Sequence, residues 1–417
     1  MLKYYVTKED NTLNSEVSLT SSRRFNNRTL TFRALYNKGN DLKNDPENSL
    51  PENIDFLDKD LKEGVKSFSK GKSSVALHFI KHFFKKYEGE WIIAGSEKLN
   101  NQAVNDLVDF LAKGGTNIKY VELTTVSVVK IIGRNLKGPI SRVDGIISSK
   151  FISATLLISP TLSDSAAESL RNAFVGSPYI RQNIKLFRHI GVNTDWDENE
   201  ILIEHVFKDG SIVCVEADWG NASYLYEMFI LSDSTKLLVN GLNIDTFQSD
   251  GIIKELFEEF GVKTEAIENG IELTKVKRKV KKYYHDFANN PDLIPCFTVT
   301  CALLGIPFRI KGVNLRGRAP ERANMLRECL GQLGATIETK TEDEAETVMF
   351  DGKLTMPSKG SQVNIPAHLD HRLAMAFSPA ALLGYRVAIE SPTQVNKTYT
   401  AYWEDLKKLG FSIDQKF

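Results

Sequence analysis

The chain has 417 residues, more than one simple core organises, so two domains are expected. Charged residues make up 25% and apolar residues 42%, which excludes a disordered or fibrous chain. Its 53 basic and 53 acidic residues cancel, so net charge gives no support to nucleic-acid or membrane-surface binding; attraction for anions has to come from local clustering.

At the N-terminus, "MLKYYVTKEDNTLN" lacks the apolar stretch of a signal peptide, and a cytoplasmic protein is expected. The basic segment "SSRRFNNR" follows, then a hydrophilic stretch, "NKGNDLKNDPENSLPENIDFLDKD", that reads as a loop. Near the midpoint, "VEADWGNASYLYEMF" reads as a strand, a Gly-Asn turn and a helix, a candidate domain crossing. The run "KVKRKVKK" (275–282) reads as a solvated face on a charge-balanced chain. Asp292 in "NNPDL" has the setting of an N-cap after a turn, and Arg318 and Arg322, four apart, share a helix face. The longest mostly apolar run, "LIPCFTVTCALLGIPF", is broken by Pro and Gly and too short to span a bilayer. Cys214, Cys296, Cys301 and Cys329 form no CxxC pair and lie apart from any His cluster, so reduced thiols are expected rather than zinc or disulfides.

In "HLDHRLAMAF", Asp370 reads as an N-cap ahead of an apolar helical run. His371 and Arg372 then fall in the first turn, where a fixed cation costs roughly 0.3–1 kcal/mol. Two cations placed there imply that an anion normally joins them. On that reading, the ligand-free chain tolerates or gains from Arg372→Ala.

One pattern recurs: an amphipathic helix ends in a glycine, and a β-prone strand pair follows. Its copies end at Gly115, Gly191, Gly261, Gly334 and Gly410, with spacings of 76, 70, 73 and 76 residues. Such regularity implies a tandem α/β unit of about 70 residues, six units in all, three in each of two domains.

This repeat and several motifs together resemble the enolpyruvyl transferases, in particular the EPSP synthase family. "NNPDLIPCF", "NLRGRAPERANMLRECLGQLG", "LDHRLAMA" and "NKTYTAYWEDLKKLG" resemble family segments in order, as do "ISSKFISATLLISP" and "GSPYI" earlier. The resemblance implies an α/β (α+β) fold, a two-domain inverted α/β barrel with three βαβαββ units per domain and helices inside. It places residues 1–14 and 222–417 in the domain carrying both termini and 15–221 in an inserted domain, with crossings near Ser15–Ser22 and Asp218–Ser223.

The same resemblance implies carboxyvinyl transfer from phosphoenolpyruvate to the 5-hydroxyl of 3-phosphoshikimate, with no metal or organic cofactor, by a monomer that binds neither nucleic acid nor membrane. Asp292 would be the base, Lys397 would assist the leaving phosphate or proton transfer, and His371 would tune both. Arg322 and Arg372 would hold phosphoenolpyruvate, with Asn314 and Arg318 on the same substrate side. Arg23, Arg28, Ser148, Ser149, Lys150 and Tyr179 would hold the phosphorylated ring. The first half departs from the family: Arg23-Arg24 replaces a Lys-Ser pair, Lys72 a glycine, and Gln102 an arginine. Later, Lys150 replaces a glutamine, Gly176 a serine and Ala319 a glutamate. A degenerate relative that binds an anion or a partner without catalysis, or a transferase with another acceptor, stays open.

Overall fold

The computed structural model describes residues 2–22, 67–68, 89–94, 117–123, 126–133, 194–196, 201–203, 216–313, 321–342 and 345–416. The chain divides into two compact units, Met1–Phe25 with Val215–Phe417, and Asn26–Cys214. Its described strands begin with β1 (Lys3–Thr7), β2 (Glu16–Ser18), β3 (Ser67–Phe68), β4 (Gly89–Ala94), β5 (Asn117–Leu123), β6 (Val126–Gly133), β7 (Thr194–Trp196) and β8 (Ile201–Ile203). Then come α1 (Trp219–Leu231), β9 (Lys236–Asn240), α2 (Ile253–Phe260), β10 (Val262–Ile267), β11 (Gly270–Lys275), β12 (Tyr283–Asp286) and α3 (Ile294–Leu303). The rest of the chain forms β13 (Phe308–Lys311), α4 (Glu321–Gln332), β14 (Ala335–Glu342), β15 (Ala345–Leu354), β16 (Gln362–Ile365), α5 (His371–Phe377), β17 (Arg386–Glu390), α6 (Tyr402–Lys408) and β18 (Ser412–Lys416).

Three four-stranded sheets build the unit that carries both termini, in the orders β2-β9-β11-β10, β12-β13-β15-β14 and β16-β17-β1-β18. In each, the first two strands are parallel and the remaining pairs antiparallel. The complete copy, β12-α3-β13-α4-β14-β15, is a βαβαββ unit. In the last copy β18 stands where β14 does in that unit, and β1 stands where β15 does, between β17 and β18. In the other unit, β3-β4-β6-β5 repeats the same order and the same pairing directions.

The glycines of the repeat behave as their spacing predicts where they are described: Gly261, Gly334 and Gly410 follow α2, α4 and α6 with φ of 97°, 81° and 90°. Gly115 and Gly191 lie outside the described residues. The second helix class, α1, α3 and α5, is apolar nearly all round and therefore buried. These three pack on one another at the centre of the unit. Beside them Phe257, Phe260, Tyr283, Phe287 and Phe297 form an aromatic cluster, with Phe257 and Phe297 rings 4.7 Å apart. Each such ring contributes about 1.5–3 kcal/mol by leaving water. One carboxyl intrudes: Glu227 of α1 is fully buried, and loss of hydration raises its pKa well above the usual carboxylate range.

Two details differ from the sequence expectation. No turn forms at Gly220-Asn221, because Asp218 caps α1, its Oδ1 accepting from Asn221 N at 3.0 Å, and the helix runs straight through. A Cβ on Gly220 would sit 2.9 Å from Asp250 Oδ2, so glycine here serves close approach rather than a turn. The crossing segments also lie within the terminal unit: β2 pairs with β9, and Ser22 N donates to Glu216 O at 2.9 Å. The pairing holds residues 16–22 and 216–221 there, although the sequence boundaries put them in the inserted domain.

Candidate active site

The site is assembled at the starts of α3 and α5. Asp370 caps α5, its Oδ1 accepting from Arg372 N at 2.8 Å. Just before it, His368 and Leu369 both take left-handed backbone, φ 48° and 60°, a conformation that disfavours side chains and is common at functional turns. That turn offers the Leu369 carbonyl to Lys397 Nζ at 3.2 Å. Lys397 reaches it from the end of a short 3-10 turn, Pro392–Lys397.

Asp292 sits in another 3-10 turn, Pro291–Leu293, directly ahead of α3. Its Oδ2 lies 2.8 Å from Arg372 Nη2, and Arg372 Nη1 donates to its backbone oxygen at 3.4 Å. Arg322 comes from the start of α4 to the same turn, Nη1 donating to Pro291 O at 3.4 Å and Nη2 lying 3.6 Å from Asp370 Oδ2. Two guanidiniums thus bracket one short turn. Arg372 is only 5% exposed, so its charge depends on these partners rather than on water.

His371 is not the second cation that the sequence pattern supplied. Burial, then the neighbouring Arg372 and Lys397 charges, lower its pKa to about 3 against the opposing pull of Asp370 and Asp292. Its Nδ1 lies 3.9 Å from Asp370 Oδ1, and its buried Nε2 has no hydrogen-bond partner among the described residues. Nor is Arg372 uncompensated at the helix start, since the Asp292 carboxylate stands against its guanidinium and the Asp370 carboxylate caps its backbone N–H. The premise that Arg372→Ala would relieve a repulsion is therefore corrected.

Of the residues expected from sequence, Asp292, Arg322, His371, Arg372 and Lys397 come together here. Arg23, Arg28, Ser148, Ser149, Lys150, Tyr179, Asn314 and Arg318 lie outside the described residues, as do Lys72, Gln102 and Ala319. Sequence reasoning missed a supporting ring. Asn290 donates to Asp250 Oδ1 at 3.0 Å, and Asn221 in the first turn of α1 donates to Thr398 O at 3.2 Å, tying α1 to the residue after Lys397. His368 Nε2 meets Glu328 Oε2 at 2.9 Å. Only Asn290, inside "NNPDL", carried any local hint.

Among the described residues no group of His, Cys, Asp and Glu could hold a metal, and no helix is long and apolar enough to cross a membrane. Cys296, Cys301 and Cys329 are free and buried. Chemically, the arrangement offers arginines and a lysine for anions, a carboxylate for proton transfer, and helix starts whose N–H groups also favour negative charge.

The family model described as EPSP synthase (3-phosphoshikimate 1-carboxyvinyltransferase) matches residues 58–406. The 3-phosphoshikimate 1-carboxyvinyltransferase of Bacteroides fragilis (strain YCH46) is 31% identical over 411 residues, covering 98% of each chain. The chain belongs to the EPSP synthase family. A more distant relative of the same name, from Psychromonas ingrahamii, is 26% identical over 327 residues, covering 78% of this chain and 74% of its own. Solved structures extend the likeness to the fold. An EPSP synthase from Acinetobacter baumannii aligns with TM-score 0.70 at 15% identity over 100% of both chains. The enolpyruvyl transferase NikO from Streptomyces tendae aligns with TM-score 0.63 at 15% identity, over 100% of this chain and 99% of that one. At such identities these structures carry the two-domain α/β EPSP synthase architecture and no residue roles.

Proposed function

We propose that this chain transfers the carboxyvinyl group of phosphoenolpyruvate to the 5-hydroxyl of 3-phosphoshikimate and releases phosphate, a step of the shikimate route to aromatic amino acids. The observation that carries this reading is the gathering of Asp292, Arg322, Arg372 and Lys397 around two helix starts, in a chain of this family. Transfer needs a bond from the acceptor oxygen to C2 of phosphoenolpyruvate, with a proton added at C3. Elimination then breaks the C2–O bond to phosphate and removes a C3 proton, restoring the double bond.

In this reading Asp292 takes the hydroxyl proton, a role that removal of a positioned base typically weakens about 10²–10⁴-fold. Arg322 and Arg372 hold the carboxylate and phosphate, for which a guanidinium's planar fork is suited. Lys397 neutralises the departing phosphate or moves the C3 proton. His371, neutral, shapes the field between them. The unit with both termini is the phosphoenolpyruvate and catalytic side. Arg23, Arg28, Ser148, Ser149, Lys150 and Tyr179 take the shikimate phosphate, and Asn314 and Arg318 serve as further substrate ligands. A cytoplasmic monomer working without cofactor fits this reading.

A second reading has its own support: Lys72, Gln102 and Ala319 replace residues that the family pattern uses, which favours an anion-binding relative without turnover. Phosphate release from phosphoenolpyruvate separates the two. Release that depends on 3-phosphoshikimate and falls at least a hundredfold in Asp292→Asn supports transfer. Thermal stabilisation by both ligands with no release supports the binding protein.

A further inference from the structure

We propose that Arg372 is a shared cation: the ligand-free chain commits it to Asp292, and phosphoenolpyruvate takes it over, so that the carboxylate becomes available as a base only when the anion has arrived. This rests on the roles proposed for Asp292 and Arg372 and adds regulation to that same site. The geometry is specific. Arg372 holds both the carboxylate of Asp292, at 2.8 Å, and its backbone oxygen, at 3.4 Å. Arg322 holds the preceding carbonyl, Pro291 O, at 3.4 Å, so both proposed phosphoenolpyruvate ligands grip the turn that carries the base.

Burial makes the commitment necessary. A guanidinium 5% exposed cannot fall back on water, and an unpaired buried charge is strongly destabilising. Without an anionic ligand Asp292 supplies the counter-charge. A carboxylate tied into such a pair is a poor proton acceptor, because its charge is already satisfied by strong hydrogen bonds. When the ligand's carboxylate or phosphate meets Arg372, the guanidinium exchanges one anion for another and its hold on the Asp292 carboxylate is given up. Among the described residues, the groups facing this exchange are Arg322 from α4, Asp370 and His371 at the start of α5, and Lys397 from the 3-10 turn. Asp370 remains to pair with Arg322 throughout. The exchange would keep the base quiet until its electrophile is in place.

The test is a double-mutant cycle on phosphoenolpyruvate affinity in the full chain, measured by calorimetry without 3-phosphoshikimate. Asp292→Asn removes the carboxylate charge that competes for Arg372 and should tighten phosphoenolpyruvate binding about tenfold, the factor that corresponds to ~1.4 kcal/mol, although it abolishes turnover. On an Arg372→Gln background the same change should gain nothing. An equal gain on both backgrounds would reveal only general repulsion between Asp292 and the anion, and would overturn the shared cation. Loss of affinity in Asp292→Asn overturns it as well. Should that variant not fold, wild-type crystals soaked with phosphoenolpyruvate decide: Arg372 Nη2 and Asp292 Oδ2 should lie beyond about 4 Å, outside ion-pair range, and an intact pair with ligand bound defeats the proposal. Wild-type turnover with both substrates is scored separately. Turnover without coupling removes this inference alone, whereas no turnover removes the transferase reading beneath it.

Discussion

In the sequence Arg372 is a cation at the positive end of a helix. In the fold its guanidinium lies 2.8 Å from Asp292, and the residue is buried. Removing one partner of a buried pair typically costs about 3–5 kcal/mol. Arg372→Ala should therefore lower the thermal midpoint of the ligand-free chain by several degrees, and an unchanged midpoint would mean that the pair contributes nothing. His371 sets a pH dependence of its own. Its folded pKa of about 3 lies below the ordinary 6.5, so between those values the unfolded chain binds more protons than the folded one. Stability from this group is fully present above about pH 6.5 and is lost as pH falls toward 3. His371→Gln should flatten the slope of urea stability against pH across that window, with little effect at pH 7.5. The sequence showed both residues but not their charge state, because Asp292 lies 80 positions away from Arg372 along the chain.

At the scale of elements, the glycine-ended helices were legible because their apolar stripe and their left-handed caps are local signals. Gly334 illustrates how firmly the second signal is set. A Cβ there would stand 1.8 Å from Thr355 O, in addition to the strain of φ 81°. Gly360, at φ 83°, has nothing within 4 Å of the same position. Gly360→Ala should cost about 1 kcal/mol of strain alone, while Gly334→Ala should be several times worse by chemical denaturation. Comparable losses would mean that the carbonyl moves aside freely. The inner helices were harder to read. α1 and α3 are apolar on every side, so periodicity that finds an exposed face has nothing to find. Asp370 marked one of their starts, whereas at α1 Gly220, two residues after Asp218, imitated a turn.

For the whole molecule, the period of the repeat foretold the architecture, but its closure was hidden. Nothing local in "KYYVT" says that this strand will lie between β17 and β18, because the partner strands lie at the other end of the chain. The candidate site was legible for a similar mixture of reasons. Asp292, Arg322, Arg372 and Lys397 stand in motifs that resemble the EPSP synthase family, whereas Asp250 and Thr398 matter only through contacts made in three dimensions. The central claim is that these gathered charges perform carboxyvinyl transfer. It is tested most directly by following phosphoenolpyruvate labelled with carbon-13 at its methylene carbon, mixed with 3-phosphoshikimate and the full chain. The labelled vinyl signal should move to the acceptor's ether as one phosphate appears for each group transferred, and should stay put without the acceptor. A chain that binds both compounds and leaves the label on phosphoenolpyruvate contradicts the account.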